Sequence, residues 1–512
     1  MSLTSIIHQD YKYLISKHTN ILMIAVILII GIINYFYGEK LQVSDGFGWD
    51  GIVYGNWARD FVGTVFKPGD LQIFKRIFPS ATVHYGLALL NMLFGIPLSD
   101  SNIIRGFEIY NLILFLITAY TLGRLTDYLK FSNKGKWLAF VGLFLNYSFF
   151  KHMLYMPVLT DQSAFAFGML LLYFYMTKNN IGLIIISIIG IFSGQIFIFG
   201  ALILLIFPKK DISSTSVPNN DIVSAPNNYN IILSITIVIF AFIYIYYRHF
   251  IQGAVRTLDT GHLPINEQFI YLSISFLLAY LFFGLKNILD SADLYVIKNW
   301  INKDNSKLLI VGVLLGLIFS VIVIITLAIN TKLPGGVGRL IPKAIKFFDH
   351  FLLGSISKPF YPVIPHVIYF GPFTILTIYL WKQITNNIHK YGNGLTLFIA
   401  FHFILTTIPM GRQLMNFFPF FVIFTVMAFE ELNVSKSYYW FIAIISLLSS
   451  KVWLRLNFEG SEPSLINTSM SKYFMSYAYY INDTMYAIQG SIVIVTFILF
   501  YVIFSKKIFG VD

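Results

Sequence analysis

The chain reads as an all-α polytopic membrane protein of about 12–14 transmembrane helices, with interfacial helices in its first exterior loop. Two observations predict this. Apolar runs of bilayer-crossing length, roughly 17–25 residues as helix, recur from one end of the chain to the other. Charged residues make up only 12% of the 512 positions, and mean hydropathy is +0.72; a soluble protein would carry about a quarter charged residues. Cysteine is absent, which excludes disulfides, thiolate metal sites and thiol nucleophiles. The net charge of +12 fits a protein facing anionic lipid or a phosphorylated substrate. Ordinary cytoplasmic anchoring lysines would give the same excess.

The elements follow in order. The N-terminal "YKYLISKH" has two lysines, which favours a cytoplasmic start. "NILMIAVILIIGIINYFYG" (20–38) is long for a signal peptide and ends without a small-residue cleavage pattern, so it is read as a retained helix leaving the bilayer near Lys40. The next apolar stretch, 79–97, is short, holds His84 and Asn91, and has a proline at each end. A crossing there would put Arg124, Lys130, Lys134 and Lys136 outside, so an interfacial or re-entrant helix is expected instead. Spans are expected at 106–123, 137–150 and 162–177, with a tight turn at 193–195. Residues 1–210 form the N-terminal module, with the exterior loop 39–105 as its candidate site. The Ser-, Pro- and Asn-rich stretch 211–228 is a cytoplasmic linker. Region 229–512 carries further spans at 229–247, 268–284, 308–329, 363–381, 394–409, 413–429, 439–450 and 488–504, and exterior loops at 248–267, 330–362 and 451–487. No internal repeat of the transporter kind is visible.

This topology gathers polar residues on the exterior face. The first loop holds Asp45 and Asp50 in "SDGFGWDGIVYGNWARD", then Arg76; Asp161 follows in "HMLYMPVLTDQSAF". Arg256 and His262 come later, and 331–366 contributes Lys332, Arg339, Lys343, Lys346 and Lys358 against Asp349. Lys343 and Lys346 share a helix face with Arg339 one turn earlier, and "PGG" upstream allows amides to turn toward a phosphate. The stretch reads either as an anion site for a lipid phosphate or as a solvated charged face. Arg412, in "IPMGRQLMNFFPF" at the outer edge of a helix, either binds phosphate or snorkels to water. Asp50 precedes glycine and could simply shape a turn; Asp161 follows Thr160 and could cap its helix; Arg76 could orient the loop. His84, His262, His350 and His366 have no metal-ligand spacing. Asn467 and Asn482 fit glycosylation tripeptides at the rate chance allows, and the aromatics of 470–487 would suit an exterior cap. No phosphate-loop, dinucleotide or zinc signature occurs, and nucleic-acid binding is not supported.

"GWDGIVYGNWA", "FKRIFPSATVHYGLALLNMLFG", "YMPVLTDQSAFAFGMLLLY" and "PMGRQLMNFFPFF" together resemble the membrane glycosyltransferases of the type C (GT-C) fold. Many bacterial members carry a Tyr-Asp-Gly-Gln-Phe-Tyr-Tyr-like motif after the first helix, then an Arg-Xaa-Xaa-Pro segment. Here Asp50, Gly51 and Tyr54 match the first, with Trp49 and Ile52-Val53 as departures, and Arg76 and Pro79 match the second. Gln195 stands where many relatives have a charged residue. The likeness covers 15–210 and, more weakly, 409–420.

The resemblance implies a polyprenyl-phosphate sugar donor, a glycan, lipid or protein acceptor, and a site on the exterior face of the cytoplasmic membrane (the ER lumen in a eukaryote). It implies Asp50 as the base that deprotonates the acceptor, with inversion at the anomeric centre. Asp45 is the substitute base, or a ligand of acceptor hydroxyls. Asp161, Tyr54, Arg76 and His262 would contact donor or acceptor; Arg339, Lys343, Lys346, Arg412 and Arg256 would hold the lipid phosphate. No cofactor is required, and a divalent metal enters only with a pyrophosphate donor. Two rivals stay open: a transporter or flippase of a lipid-linked glycan or other anion, and a polymerase or ligase of lipid-linked oligosaccharides.

Overall fold

The computed structural model describes residues 3–65, 76–194, 197–207, 228–253, 267–290, 348–408, 410–457 and 483–508, and among these the chain is helical with no strand. Six helical stretches are long and apolar enough to cross a membrane: Ser16–Tyr37, Ile77–Phe94, Asp100–Tyr128, Asn230–Ile251, Glu267–Asp290 and Asp483–Ser505. They fit an integral, multi-pass membrane protein.

α1 (Leu3–Tyr37) and α5 (Asp100–Tyr128) run antiparallel. Gly31 lets Leu112 lie against the α1 backbone, and Gly123 lets Asn20 lie against the α5 backbone. Ser99 starts α5 by accepting the Asn102 amide, and Ser132 starts α6 (Asn133–Phe144) by accepting that of Gly135. Each cap satisfies one of the amides a helix start leaves open. At the α1 start, Lys136 is buried among Asp127, Ser16 Oγ at 2.6 Å and Asn20 Oδ1 at 3.2 Å. Glu430 of α16 (Phe418–Glu431) reaches the same end and accepts the Ser132 amide at 3.1 Å. At the opposite end Lys40 pairs with Glu108, Arg59 with Asp100, and Lys151 with Glu39 at 3.2 Å. The bundle thus has two polar ends, and charge is paired at both because an unpaired charge beside hydrocarbon is costly.

Between α1 and α5 lie α2 (Gly51–Arg59), α3 (Phe61–Val65) and α4 (Ile77–Phe94). α4 covers the stretch expected to be interfacial or re-entrant, and by length and composition it is instead able to cross a membrane. It packs on α2, with Ser80 Oγ donating to Tyr54 O at 3.0 Å and His84 Nδ1 2.8 Å from Ala58 O. Val83 and Leu87 fit over Gly106 near the start of α5, and Gly95, at φ +68°, turns the chain into the short connection.

α7 (Asp161–Met176), α8 (Asn180–Ile191) and α9 (Phe197–Ile206) are short helices on the far side of α5. Next come α10 (Asn228–Ile245), continued by a π-helical turn Tyr246–Ile251, and α11 (Ile270–Asp290). The run 363–381, expected as one span, is two helices, α12 (Ile364–Phe370) and α13 (Phe373–Tyr379), and a third, α14 (Trp381–His389), begins at its last residue. Gly371 at φ +79° and Pro372 break the first boundary, since glycine tolerates that backbone and proline offers no amide to continue the ladder. α15 (Asn393–Leu405) precedes α16, and α17 (Lys436–Ser449) and α18 (Asp483–Ile508) complete the described helices. The expected span 308–329, Gln195 and all of the linker except Asn228 lie outside the described residues.

Gly168 of α7 presses on the backbone after Arg412: a Cβ there would sit 2.1 Å from the Asn416 carbonyl oxygen. Backbone cannot swing aside as a side chain can. Gly168→Ala should therefore cost about 1–3 kcal/mol by overpacking, read as a lowered thermal midpoint in detergent; an unchanged midpoint would show that this approach is not tight.

Candidate functional site

The site is built where the loop after α1 returns to the bundle. Ser44 and Asp45 have φ of +52° and +53°, followed by Gly46 at +98° and Gly48 at +74°. This left-handed run turns the chain back so that Gly51 rests on Val158, with 3.3 Å available to a Cβ. Asp50 occupies the N-cap position of α2, yet its side chain caps nothing. It accepts a hydrogen bond at 2.8 Å from Nη2 of Arg412, 362 residues away. Arg412 sits in the 3-10 turn Gly411–Leu414 just before α16, and only 12% of its side chain is exposed against 46% for Asp50. A guanidinium held this low is stable only with a partner.

One turn beyond Asp50, the Tyr54 hydroxyl accepts from Arg76 Nη1 at 2.7 Å. Burial raises the Tyr54 pKa and the Asp50 charge adds to it, while Arg76 and Arg412 pull it down. The phenol therefore keeps its proton at neutral pH.

Asp161 is the first residue of α7, not its cap; Thr160 holds that position and makes no side-chain cap bond. Instead Asp161 Oδ2 lies 3.3 Å from Nε2 of His152, and both residues are buried. Burial alone would push the Asp161 carboxyl up, but the His152 hydrogen bond and the charges of Arg412 and Arg76 bring it to about 2. Its negative charge is thus permanent near neutrality. His152 belongs to the π-helical turn Ser148–Met153, packs edge-on to Tyr369 at 5.5 Å, and its Nδ1 is buried with no hydrogen-bond partner. Gly411 completes the stack, since a Cβ there would meet the Tyr369 ring at 2.5 Å.

Five of the sequence-expected residues, Asp50, Tyr54, Arg76, Asp161 and Arg412, are therefore joined by hydrogen bonds or mutual fields in one network. Asp45 is exposed on its strained turn and joins none of these bonds. Arg256, His262, Arg339, Lys343 and Lys346 lie outside the described residues. Lys358, expected in the exposed basic stretch, is buried, bonded to Asp483 at 2.7 Å, and 5.1 Å from the Tyr486 ring centre. Asp349 pairs with Arg248, so neither belongs to a free cationic face.

Sequence reasoning missed His152 and Lys451. The signal for His152 was the pair Lys151-His152 inside an apolar helical run. Lys451, at φ +52°, donates to Gln489 at 2.7 Å and lies 5.7 Å from the Tyr147 ring centre. Burial lowers its pKa to about 7. Replacing it with methionine should raise the thermal midpoint at pH 9 less than at pH 6, because the neutral amine, favoured above about 7, is the form burial tolerates. Equal gains at both pH values would place the lysine in water.

A cavity of about 570 Å³ lies among helices α11 to α16 and α18. Phe276, Phe370, Trp381 and Phe497 line it, and Leu414 and Phe418 bring its wall to within two residues of Arg412 in sequence. Among the described residues no group of three His, Cys, Asp or Glu side chains could hold a metal ion. No family model matches the chain, and neither does any curated protein or solved structure.

Proposed function

We propose that the chain is a membrane glycosyltransferase of the GT-C type, with about 12–14 spans, moving a sugar from polyprenyl phosphate to an acceptor on the exterior face. The observation that carries this reading is the Asp50–Arg412 pair, flanked by Arg76 and Asp161 and adjoining a large apolar cavity. A sugar on a lipid phosphate already has its leaving group. What the protein must supply is a base for the acceptor hydroxyl and fixed cations for the departing phosphate.

Arg412 and Arg76 supply the cations. When a phosphate docks on Arg412 it takes the place of the Asp50 carboxylate, and Asp50 is freed to accept the acceptor's proton. One bond forms from the acceptor oxygen to the anomeric carbon as the bond to the phosphate oxygen breaks, with inversion. Asp161 holds a permanent negative charge where positive charge develops on the sugar. The Tyr54 hydroxyl keeps Arg76 turned toward the site, and the apolar cavity suits the hydrocarbon tail.

Native mass spectrometry of the detergent-purified protein should find polyprenyl phosphate or its glycosylated form bound, and should lose it in Arg412→Ala. Bulk phospholipid alone would favour a carrier of other anions. The absence of cysteine makes sidedness directly testable. Gln42→Cys, at the polar end of the network, should react with an impermeant maleimide on intact cells, and Lys134→Cys, at the other end, only after permeabilisation. The reverse pattern would overturn an exterior site.

A further inference from the structure

A second cleft, of about 380 Å³, is lined in part by Phe150 and Lys151 of the Ser148–Met153 turn. Its walls are the last two turns of α1, residues 150–155, and the segment 452–456 that follows α17. It shares no lining residue with the apolar cavity described above. We propose that it binds one amphiphile with a net-anionic phosphate head group at the edge of the bilayer.

The lining is graded. Ile30 and Ile33 line it along α1 before Tyr37 and Glu39, and Leu456, next to Arg455, donates its amide to Glu39. Ile30 to Tyr37 spans about 10 Å of helix, and Tyr37 closes the bilayer-crossing stretch of α1. One end of the cleft therefore faces hydrocarbon and the other reaches the head-group level. Tyr37 and Trp453, 86% and 62% exposed, flank the polar mouth as interfacial aromatics do.

Charge decides the head group. Glu39 is already fully engaged: Oε2 accepts from Lys151 at 3.2 Å, and Oε1 accepts the amides of Leu456 at 2.7 Å and Asn457 at 3.3 Å. Lys151, buried behind it, cancels its charge. Arg455 remains, exposed and with no ion pair among the described residues. Among the described residues the polar mouth thus carries one uncompensated guanidinium, whose planar fork suits a phosphate. A zwitterionic head group brings its own cation beside its phosphate, so only a net-anionic one neutralises the guanidinium. An anionic glycerophospholipid and a polyprenyl phosphate both have the required chemistry.

The test uses Trp453 as the reporter, isolated from the other six tryptophans by subtracting the fluorescence of Trp453→Phe. The full chain is reconstituted in phosphatidylcholine bilayers containing brominated phosphatidylglycerol or brominated phosphatidylcholine at equal mole fraction. Brominated phosphatidylglycerol should quench Trp453 with about fivefold preference, the worth of one cation at a lipid surface. Arg455→Gln should bring that preference to unity without moving the thermal midpoint. Equal quenching in the wild type, or a preference that survives Arg455→Gln, would overturn the proposal. Unbrominated polyprenyl phosphate is then added as competitor: relief of quenching assigns the polyprenyl lipid, and persistence assigns the glycerophospholipid. Binding is read without sugar transfer, so a failed transfer assay leaves this result standing.

Discussion

Asp50→Asn is expected to lower sugar transfer by roughly 10²–10⁴-fold, the usual worth of a positioned general base. Asparagine has nearly the same shape, suits the turn before Gly51, and can still accept a hydrogen bond from Arg412. What it loses is the charge and the basic lone pair. The guanidinium, no longer neutralised, should hold a phosphate at least as well as before. The signature is therefore a collapse of kcat with KM unchanged or lowered, and retained lipid phosphate in the native mass spectrum. Arg412→Ala should show the complement: lipid phosphate lost and transfer down by roughly 10²–10³-fold, with Arg412→Lys recovering charge but not the planar fork. Asp50→Asn with full transfer would remove Asp50 from the chemistry and return the acids of this loop to turn-shaping. Lipid binding without any transfer in the wild type would favour a carrier.

His152→Ala should be the most destabilising single change at the site, costing about 3–5 kcal/mol, as expected when one partner of a buried pair is removed and the other stays charged. Asp161 would keep its charge beside Arg412 and Arg76 but lose its one side-chain hydrogen bond among the described residues. His152→Gln can still donate to Asp161 and should restore a good part of the loss. The pH dependence is specific. The Asp161 carboxyl moves from an ordinary 3.8 in the unfolded chain to about 2 in the folded one. Its folded value is the lower, so the stabilisation is complete above about 4 and is lost as pH falls toward 2. The gap is worth on the order of 2 kcal/mol. Thermal midpoints measured between pH 2.5 and 6 should fall on the acid side in the wild type, and Asp161→Asn should lack this component. A wild-type midpoint that is flat across that window would mean that Asp161 titrates as an exposed carboxylate.

Much of this protein was legible before any coordinates. The solvent follows from local sums, because a helix in hydrocarbon must be apolar along its whole length, and those sums place the chain in a bilayer. The first loop's acids and Arg76 stood out because charge beside a span is rare and needs a reason. Hydropathy does not register a broken backbone. The run 363–381 sums as one span although Gly371 and Pro372 divide it, and partnering with α11, α16 and α18 keeps the pieces in place.

Partnership is what sequence pattern leaves open. Asp50 in "WDG" reads either as a base or as a turn-shaping residue; that its side chain meets Arg412 is a matter of packing, with Gly168 admitting the Asn416 backbone and Gly411 admitting Tyr369. Asp161 after a threonine looks like a cap, and only the π-helical turn that aims His152 at it makes it half of a buried pair. A lone histidine in an apolar run gives no hint of its partner. The sequence by itself determined the medium, the helical class and the polar residues that needed explaining. Tertiary packing decided which charges neutralise one another, because an ion pair in a low-dielectric setting is fixed by contacts between segments hundreds of residues apart.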